Sequence, residues 1–197
     1  MNILVSGFKP FLGETLNPSE KIVTEIVGLD RTIRTLILPV EFKKSFDLLR
    51  AEITKKSPDY LLMLGQATGR KDIALEKVAL NWVQTIHQDE AGKTPKTDFI
   101  KKGDPLALMT SFPVDIIFEK LKKQKFPVEI SFSAGTFVCN DLYYRVLSEF
   151  PKLKAIFIHL PLVTEQLTPA DVRPGLSYEQ QLLTVKNIVH LLRKLKL

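Results

Sequence analysis

A three-layer α/β/α fold, with helices on both faces of a central, mostly parallel, twisted sheet of about six strands, is predicted by three observations. Apolar runs of strand length alternate with stretches of helical period along the chain. Several of those runs are apolar almost throughout, as strands covered on both faces must be. The composition, 45% hydrophobic and 25% charged over 197 residues, suits a single globular domain spanning 1–197.

The first strand is Ile3 to Val5. The helix after it is marked by Asn17 as N-cap, Pro18 at the first helical position, Glu20 at the third, and Gly28 just past the end. Ile33 to Leu38 is the second strand. Phe42, Phe46, Leu49 and Ile53 then recur at spacings of four, three and four, which predicts a helix with one face on the sheet. Strands follow at Tyr60 to Leu64 and within Val78 to Ile86. A helix over Val114 to Lys123 turns Ile117 and Leu121 inward, and Val128 to Ser131 is the next strand. Leu142, Val146 and Phe150 repeat every fourth residue in a helix from Asn140 to Phe150. After a strand at Ala155 to Ile158, the last helix starts at Ser177, where Ser177 and Gln180 form a capping box, and buries Leu182, Val185, Val189 and Leu192. Two segments break the alternation. Residues 88–113 are polar and turn-rich, too long for a simple connection, and read as a lid or a partly disordered loop. Thr164 to Gly175 is a second long loop.

The net charge of +6 does not point to nucleic acid. Lysines such as Lys43, Lys44, Lys122, Lys123, Lys194 and Lys196 are scattered on or just after helices, a dipole and solubility placement, with no basic stripe interleaved with aromatics. MNILVSGF runs straight into an apolar strand, and no later run is long and apolar enough to span a bilayer, so neither a targeting segment nor membrane association is expected. Cys139 is the single cysteine, which fits a reducing, cytoplasmic compartment.

Ligands of open α/β sheets bind beyond the carboxyl ends of the strands, and three residues stand at such places. Cys139 follows the strand-like VEISFS and a turn at Gly135, at the start of a helix, where free amides and the helix dipole favour a thiolate and can bind an oxyanion. A lone cysteine is equally at home as a small buried hydrophobe. His159 ends the strand AIFI, better placed than His87 in a polar stretch or His190 inside the last helix. Glu76 could orient an imidazole, and could equally be a surface glutamate. Three histidines without HxxH, HExxH or CxxC spacing argue against a metal, and GxGxxG, GxxxxGK[ST] and GxSxG are all missing.

Five ordered blocks carry a resemblance across nearly the whole chain: GFKPFLGETLNPS at the N-terminus, LPV at 38–40, GQATGR with LEKVALN within 65–81, SAGTFVCND at 133–141 and FIHLPLVTEQ at 157–166. The chain resembles the pyroglutamyl peptidase I, or pyrrolidone-carboxylate peptidase, family of cysteine peptidases. The resemblance implies a Cys139–His159–Glu76 triad that cleaves the bond after an N-terminal pyroglutamyl residue, without metal or organic cofactor. It places Phe8 and Phe11 against the lactam ring, with Phe137 and Val138 completing the pocket and Gln66 nearby. Pyroglutamate is small, flat and uncharged, so an apolar slot with a few polar contacts suits it better than an ion pair. The family implies N-terminally pyroglutamylated peptides as partners, and a homo-oligomer such as a tetramer.

The chain also departs from the family pattern. Ile86 stands where an arginine is usual, followed by His87; Leu12 and Gly13 replace paired glycines; Leu162 replaces a tyrosine often found after the histidine. These departures bear on substrate range and turnover. They motivate the alternative of a member that binds a pyroglutamyl peptide or similar small ligand with little turnover.

Overall fold

The computed structural model describes residues 1–28 and 32–195; Lys196 lies outside them. The elements in chain order are β1 (Ile3–Phe8), α1 (Pro18–Ile26), β2 (Ile33–Leu38), α2 (Lys44–Lys55), β3 (Tyr60–Gln66), β4 (Ile73–Glu76), β5 (Val78–Leu80), β6 (Ala107–Met109), α3 (Val114–Lys123), β7 (Val128–Ser131), α4 (Val138–Glu149), β8 (Lys154–Leu160) and α5 (Tyr178–Lys194), with a 3-10 turn at Thr164–Gln166 before α5. Six strands form the main sheet in the order β2-β1-β3-β8-β4-β7, and β5 pairs with β6 in a separate two-stranded ribbon. Every pairing in the main sheet is parallel except β4 with β8. Among the described residues no helix is long and apolar enough to cross a membrane.

The three layers follow from the amphipathic helices. On one face Ile22, Val23 and Ile26 of α1, Ile117 and Leu121 of α3, and Val185, Ile188 and Leu192 of α5 join the core. On the other, Phe46, Leu49 and Ile53 of α2 pack with Leu142 and Val146 of α4. The predicted N-cap of α1 forms: Asn17 Oδ1 accepts from the Ser19 amide at 3.0 Å, and Asn17 Nδ2 donates to the Lys9 carbonyl at 3.0 Å. Ser177 caps α5 in the same way, accepting from the Gln180 amide at 3.3 Å. Gly7 allows α1 to approach β1, since a β-carbon there would stand 2.6 Å from the Ser19 carbonyl oxygen.

Four expectations are corrected. The fourth strand of the main sheet is Ile73–Glu76, while Val78–Leu80, where a strand was expected, belongs to the ribbon. The run IALE is short and ends in a charge, so its burial on all four residues was not visible locally. Phe42 lies before α2 rather than within it, and α4 begins at Val138, two residues ahead of Asn140. Residues 88–113 are fastened to the body. Asp89 is buried and accepts from the Phe42 amide at 3.1 Å, Glu90 accepts from the Val40 amide at 2.6 Å, and Asn81 exchanges hydrogen bonds with the Lys101 backbone at 2.8 and 2.9 Å.

Candidate active site

The sheet register brings two of the three sequence-predicted residues together, and helix α4 sets the third over them. Gly65 of β3 lies opposite His159 of β8, and His159 lies opposite Ala74 of β4. Two residues away, Met63, Phe157 and Glu76 form the next row. Strand partners share a face, and so do residues two apart, so the side chains of Glu76 and His159 project on the same side of the sheet. His159 Nδ1 meets Glu76 Oε1 at 2.8 Å, with both residues buried. That contact leaves the other ring nitrogen, Nε2, for chemistry.

Helix α4 covers this face. Cys139 Sγ lies 3.2 Å from where a β-carbon on Gly65 would stand, which sets the sulfur over the strand neighbour of His159. Only a glycine leaves the thiol that room. Two further side chains hold α4 in register. Tyr143, one turn after Cys139, donates its hydroxyl to the Glu76 carbonyl oxygen at 2.9 Å. Asn140 accepts from the Leu80 amide at 2.9 Å and donates to the Leu80 and Trp82 carbonyls at 2.8 and 3.1 Å. Among the described residues no side chain caps α4 at its N-cap, Phe137, so first-turn amides beside the thiol lack intrahelical acceptors and are available to a developing oxyanion.

Glu76 has a second charged neighbour. Arg70 Nη2 is 3.4 Å from Glu76 Oε1 and donates to Ser131 Oγ at 3.0 Å, while Nη1 pairs with Glu129 at 2.7 Å. The other carboxylate oxygen, Oε2, is buried without a partner among the described residues.

Cys139 opens into a cleft of about 370 Å³ whose walls include Phe8, Phe11, Leu12, Val40, Gln66 and Phe137. Phe11 and Phe137 stack on each other, centroids 5.3 Å apart and 27° between planes, and Phe42 meets Phe137 edge-on at 5.2 Å. The two stacked rings therefore make one wall. Phe8 is almost fully buried and leans on Phe157 at 6.4 Å. Gln66 Oε1 accepts from Gln166 Nε2 at 3.1 Å, an orientation that leaves the Gln66 amide nitrogen as a donor. The Val138 side chain is fully buried in the core, so what this residue can offer the cleft is its backbone, the role the resemblance implies for it. The cleft also carries charge that the sequence did not reveal, in Glu14 and Arg173. Each is engaged, Glu14 by Gln166 at 3.2 Å and Arg173 by Asp171 at 2.8 Å.

A family model, pyroglutamyl peptidase (Peptidase_C15), matches residues 1–194. The chain belongs to the pyroglutamyl peptidase family. It is a hydrolase of the pyroglutamyl-peptidase I type, a cysteine peptidase. It is 38% identical to the pyrrolidone-carboxylate peptidase of Bacillus velezensis over 184 residues, 90% of this chain and 85% of the relative. It is 33% identical over 198 residues to that of Pyrococcus furiosus, covering 94% and 95%. Among solved structures it superposes on the pyrrolidone carboxyl peptidase of Fervidobacterium islandicum with a TM-score of 0.92 at 34% identity, covering 98% and 99% of the two chains. The pyroglutamyl peptidase I of Bacillus amyloliquefaciens gives 0.87 at 35% identity, covering 95% and 94%.

Within this pyroglutamyl peptidase fold opposing effects act on the thiol. Burial pushes Cys139 from 9.0 up to about 12, the Glu76 carboxylate adds to the rise, and the residue's own amide opposes both. Desolvation thus opposes the effect expected from its place at a helix start. Of the departures, Ile86 and His87 lie outside the cleft in a neighbouring groove, and Leu162 is fully buried. Among the described residues no three His, Cys, Asp or Glu side chains are grouped to hold a metal ion.

Proposed function

We propose that this chain hydrolyses the amide bond after an N-terminal pyroglutamyl residue through a thioester, with Cys139 as nucleophile, His159 as general base and Glu76 holding the imidazole. The observation that carries this reading is the convergence on one face of the sheet of a cleft-lining thiol over Gly65, the adjoining His159 and the buried Glu76 at 2.8 Å from its ring. Because Nδ1 is engaged by Glu76, Nε2 takes the thiol proton as sulfur attacks the pyroglutamyl carbonyl. The raised thiol fits this order: deprotonation and attack are coupled. The oxyanion forms beside the first-turn amides of α4. Collapse expels the peptide amine, which takes the proton back from His159, and water activated by the same imidazole releases pyroglutamate. The aromatic wall of Phe11 and Phe137, the floor at Phe8 and the amide of Gln66 suit a flat lactam with a polar edge. We take residues 1–197 as one domain acting in the cytoplasm, where its thiol stays reduced.

The test is hydrolysis of a chromogenic pyroglutamyl amide, run with a thiol reagent, with a chelator, and with Cys139→Ala. Turnover lost to the reagent and to the substitution, and indifferent to the chelator, is expected. Wild-type turnover by Cys139→Ala would remove the nucleophile. A folded wild-type protein that binds the amide and leaves it intact would favour the low-turnover alternative.

A further inference from the structure

Beside the cleft that holds Cys139 lies a second, larger depression of about 810 Å³ that nothing above uses. The two are contiguous: Leu12, Thr68 and Phe137 line both. A substrate with its carbonyl carbon at Cys139 Sγ has its ring in the first cleft, so its remaining chain needs another way out. The shared ridge leads into this groove.

Two independent observations mark the groove as a built surface. Its lining contains no Asp, Glu, Lys or Arg, although a quarter of the chain is charged. Threonines, Gln84 and His87 line it instead, together with large apolar side chains held in the open, Ile86 at 90% and Leu12 at 62% exposure. The second observation is the backbone of Leu12, which sits at φ 55°, a left-handed conformation disfavoured for such a residue. Strain of this kind persists where the surrounding structure enforces it, and tends to occur at ligand contacts. The groove walls are also tied together: Thr136 Oγ1 donates to the Gln84 carbonyl at 2.7 Å, and the Gln84 amide donates to the Thr136 carbonyl at 3.2 Å.

We propose that this groove binds the leaving peptide, the residues that follow pyroglutamate, and that it selects uncharged side chains there. The proposal rests on the pyroglutamyl-peptidase reading and deepens it. Threonine hydroxyls and Gln84 offer hydrogen-bonding groups to an extended peptide backbone, while Leu12, Ile86 and Phe137 cover apolar side chains. A carboxylate or ammonium entering the groove meets no opposite charge on its lining.

The test compares kcat/KM for a pyroglutamyl amide without further residues, a pyroglutamyl peptide continued by three alanines, and the same peptide with glutamate in place of the central alanine. All three substrates are assayed at the same pH. Lengthening with alanine is expected to raise kcat/KM about tenfold, a gain typical of one or two well-made apolar contacts, and glutamate is expected to cancel most of it. Ile86→Arg places a cation in the groove and shifts the glutamate-to-alanine ratio about fivefold toward glutamate, the size of an exposed ion pair. Hydrolysis of the short amide with equal rates for all three substrates, or an unchanged ratio in Ile86→Arg, would overturn the groove assignment and leave the parent reading intact. Failure to hydrolyse any of the three would overturn the parent reading and this one with it. Thermal unfolding of Ile86→Arg at the wild-type temperature separates a changed surface from a damaged fold.

Discussion

The sulfur of Cys139 stands 3.2 Å from the place a β-carbon on Gly65 would occupy, and Gly65 is the strand partner of His159. The same β-carbon would come within 2.8 Å of the Phe157 ring. Gly65→Ala must therefore move a packed aromatic ring, the nucleophile, or both. Overpacking of this sort costs about 1–3 kcal/mol, and a displacement of about 1 Å in a reacting group costs about a hundredfold in rate. The expected outcome is a folded variant with a lower melting temperature and kcat for the pyroglutamyl amide reduced about a hundredfold. Wild-type kcat in Gly65→Ala would show that the thiol is not confined as described.

One oxygen of Glu76, Oε1, is shared by His159 Nδ1 at 2.8 Å and Arg70 Nη2 at 3.4 Å. Glu76→Gln preserves the shape and removes the charge, and it allows an amide to donate to Nδ1, which selects the wrong imidazole tautomer. A loss in kcat of about a thousandfold or more is expected, by analogy with carboxylate-to-amide changes in triads. Arg70→Met leaves the buried carboxylate with His159 as its ring-side partner and also frees Glu129, so a smaller loss of about tenfold is expected, in kcat rather than KM. Steady-state kinetics on both variants check the order. An Arg70→Met protein as impaired as Glu76→Gln would mean that Arg70 does more than hold the carboxylate.

How much of this was legible in the sequence depends on the range of the forces involved. The caps at Asn17 and Ser177 and the helical stripes of α3 and α5 are local and were readable. Cys139 and His159 stood out because each falls at the carboxyl end of a strand or the start of a helix. Glu76 stood out least: its strand is four residues long, so position alone left it level with a surface glutamate, and the resemblance carried its assignment. Asn140, Tyr143 and Arg70 were passed over, since their roles are set by partners such as Leu80, Glu76 and Ser131. Those contacts exist only once β4, β5 and β7 are placed. A buried asparagine directly after a candidate nucleophile was the one available signal for them. The tethering of residues 88–113 was hidden likewise, because a polar segment with a buried Asp89 looks, letter by letter, like a solvated loop.

That tether makes its own prediction. Asp89 accepts from the amides of Phe42, Ala91 and Lys93 at 3.1, 3.0 and 2.9 Å, and Phe42 in turn braces Phe137 of the cleft wall. Asp89→Ala leaves three partly buried donors without an acceptor, worth about 1–3 kcal/mol of stability. The loosened wall should raise KM for the pyroglutamyl amide severalfold while kcat changes little, because the thiol and imidazole are held by other elements. A Michaelis–Menten comparison decides it. A fall in kcat at constant KM would place the effect at the reaction centre instead.

Alkaline pH tests the environment of the thiol. In the folded chain burial holds Cys139 up to about 12 against an ordinary 9.0, and burial also raises Tyr143 above its usual 10.0. Above pH 9.0 the unfolded chain releases a thiol proton that the folded chain keeps, so unfolding becomes progressively easier as pH climbs toward about 12. Below pH 9.0 both states hold the proton and this contribution is constant. Tyr143 acts with the same sign in a window beginning near 10.0. The limiting slope is about 1.4 kcal/mol per pH unit for each group, and the partial opening of Cys139 to the cleft lowers its share. Urea unfolding of wild type, Cys139→Ala and Tyr143→Phe at a series of alkaline pH values isolates these groups, since the titration of surface lysines is common to all three proteins. The wild-type curve should fall most steeply, with each substitution removing part of the slope. Parallel curves would mean that the thiol and the phenol are as well hydrated in the folded protein as in the unfolded one.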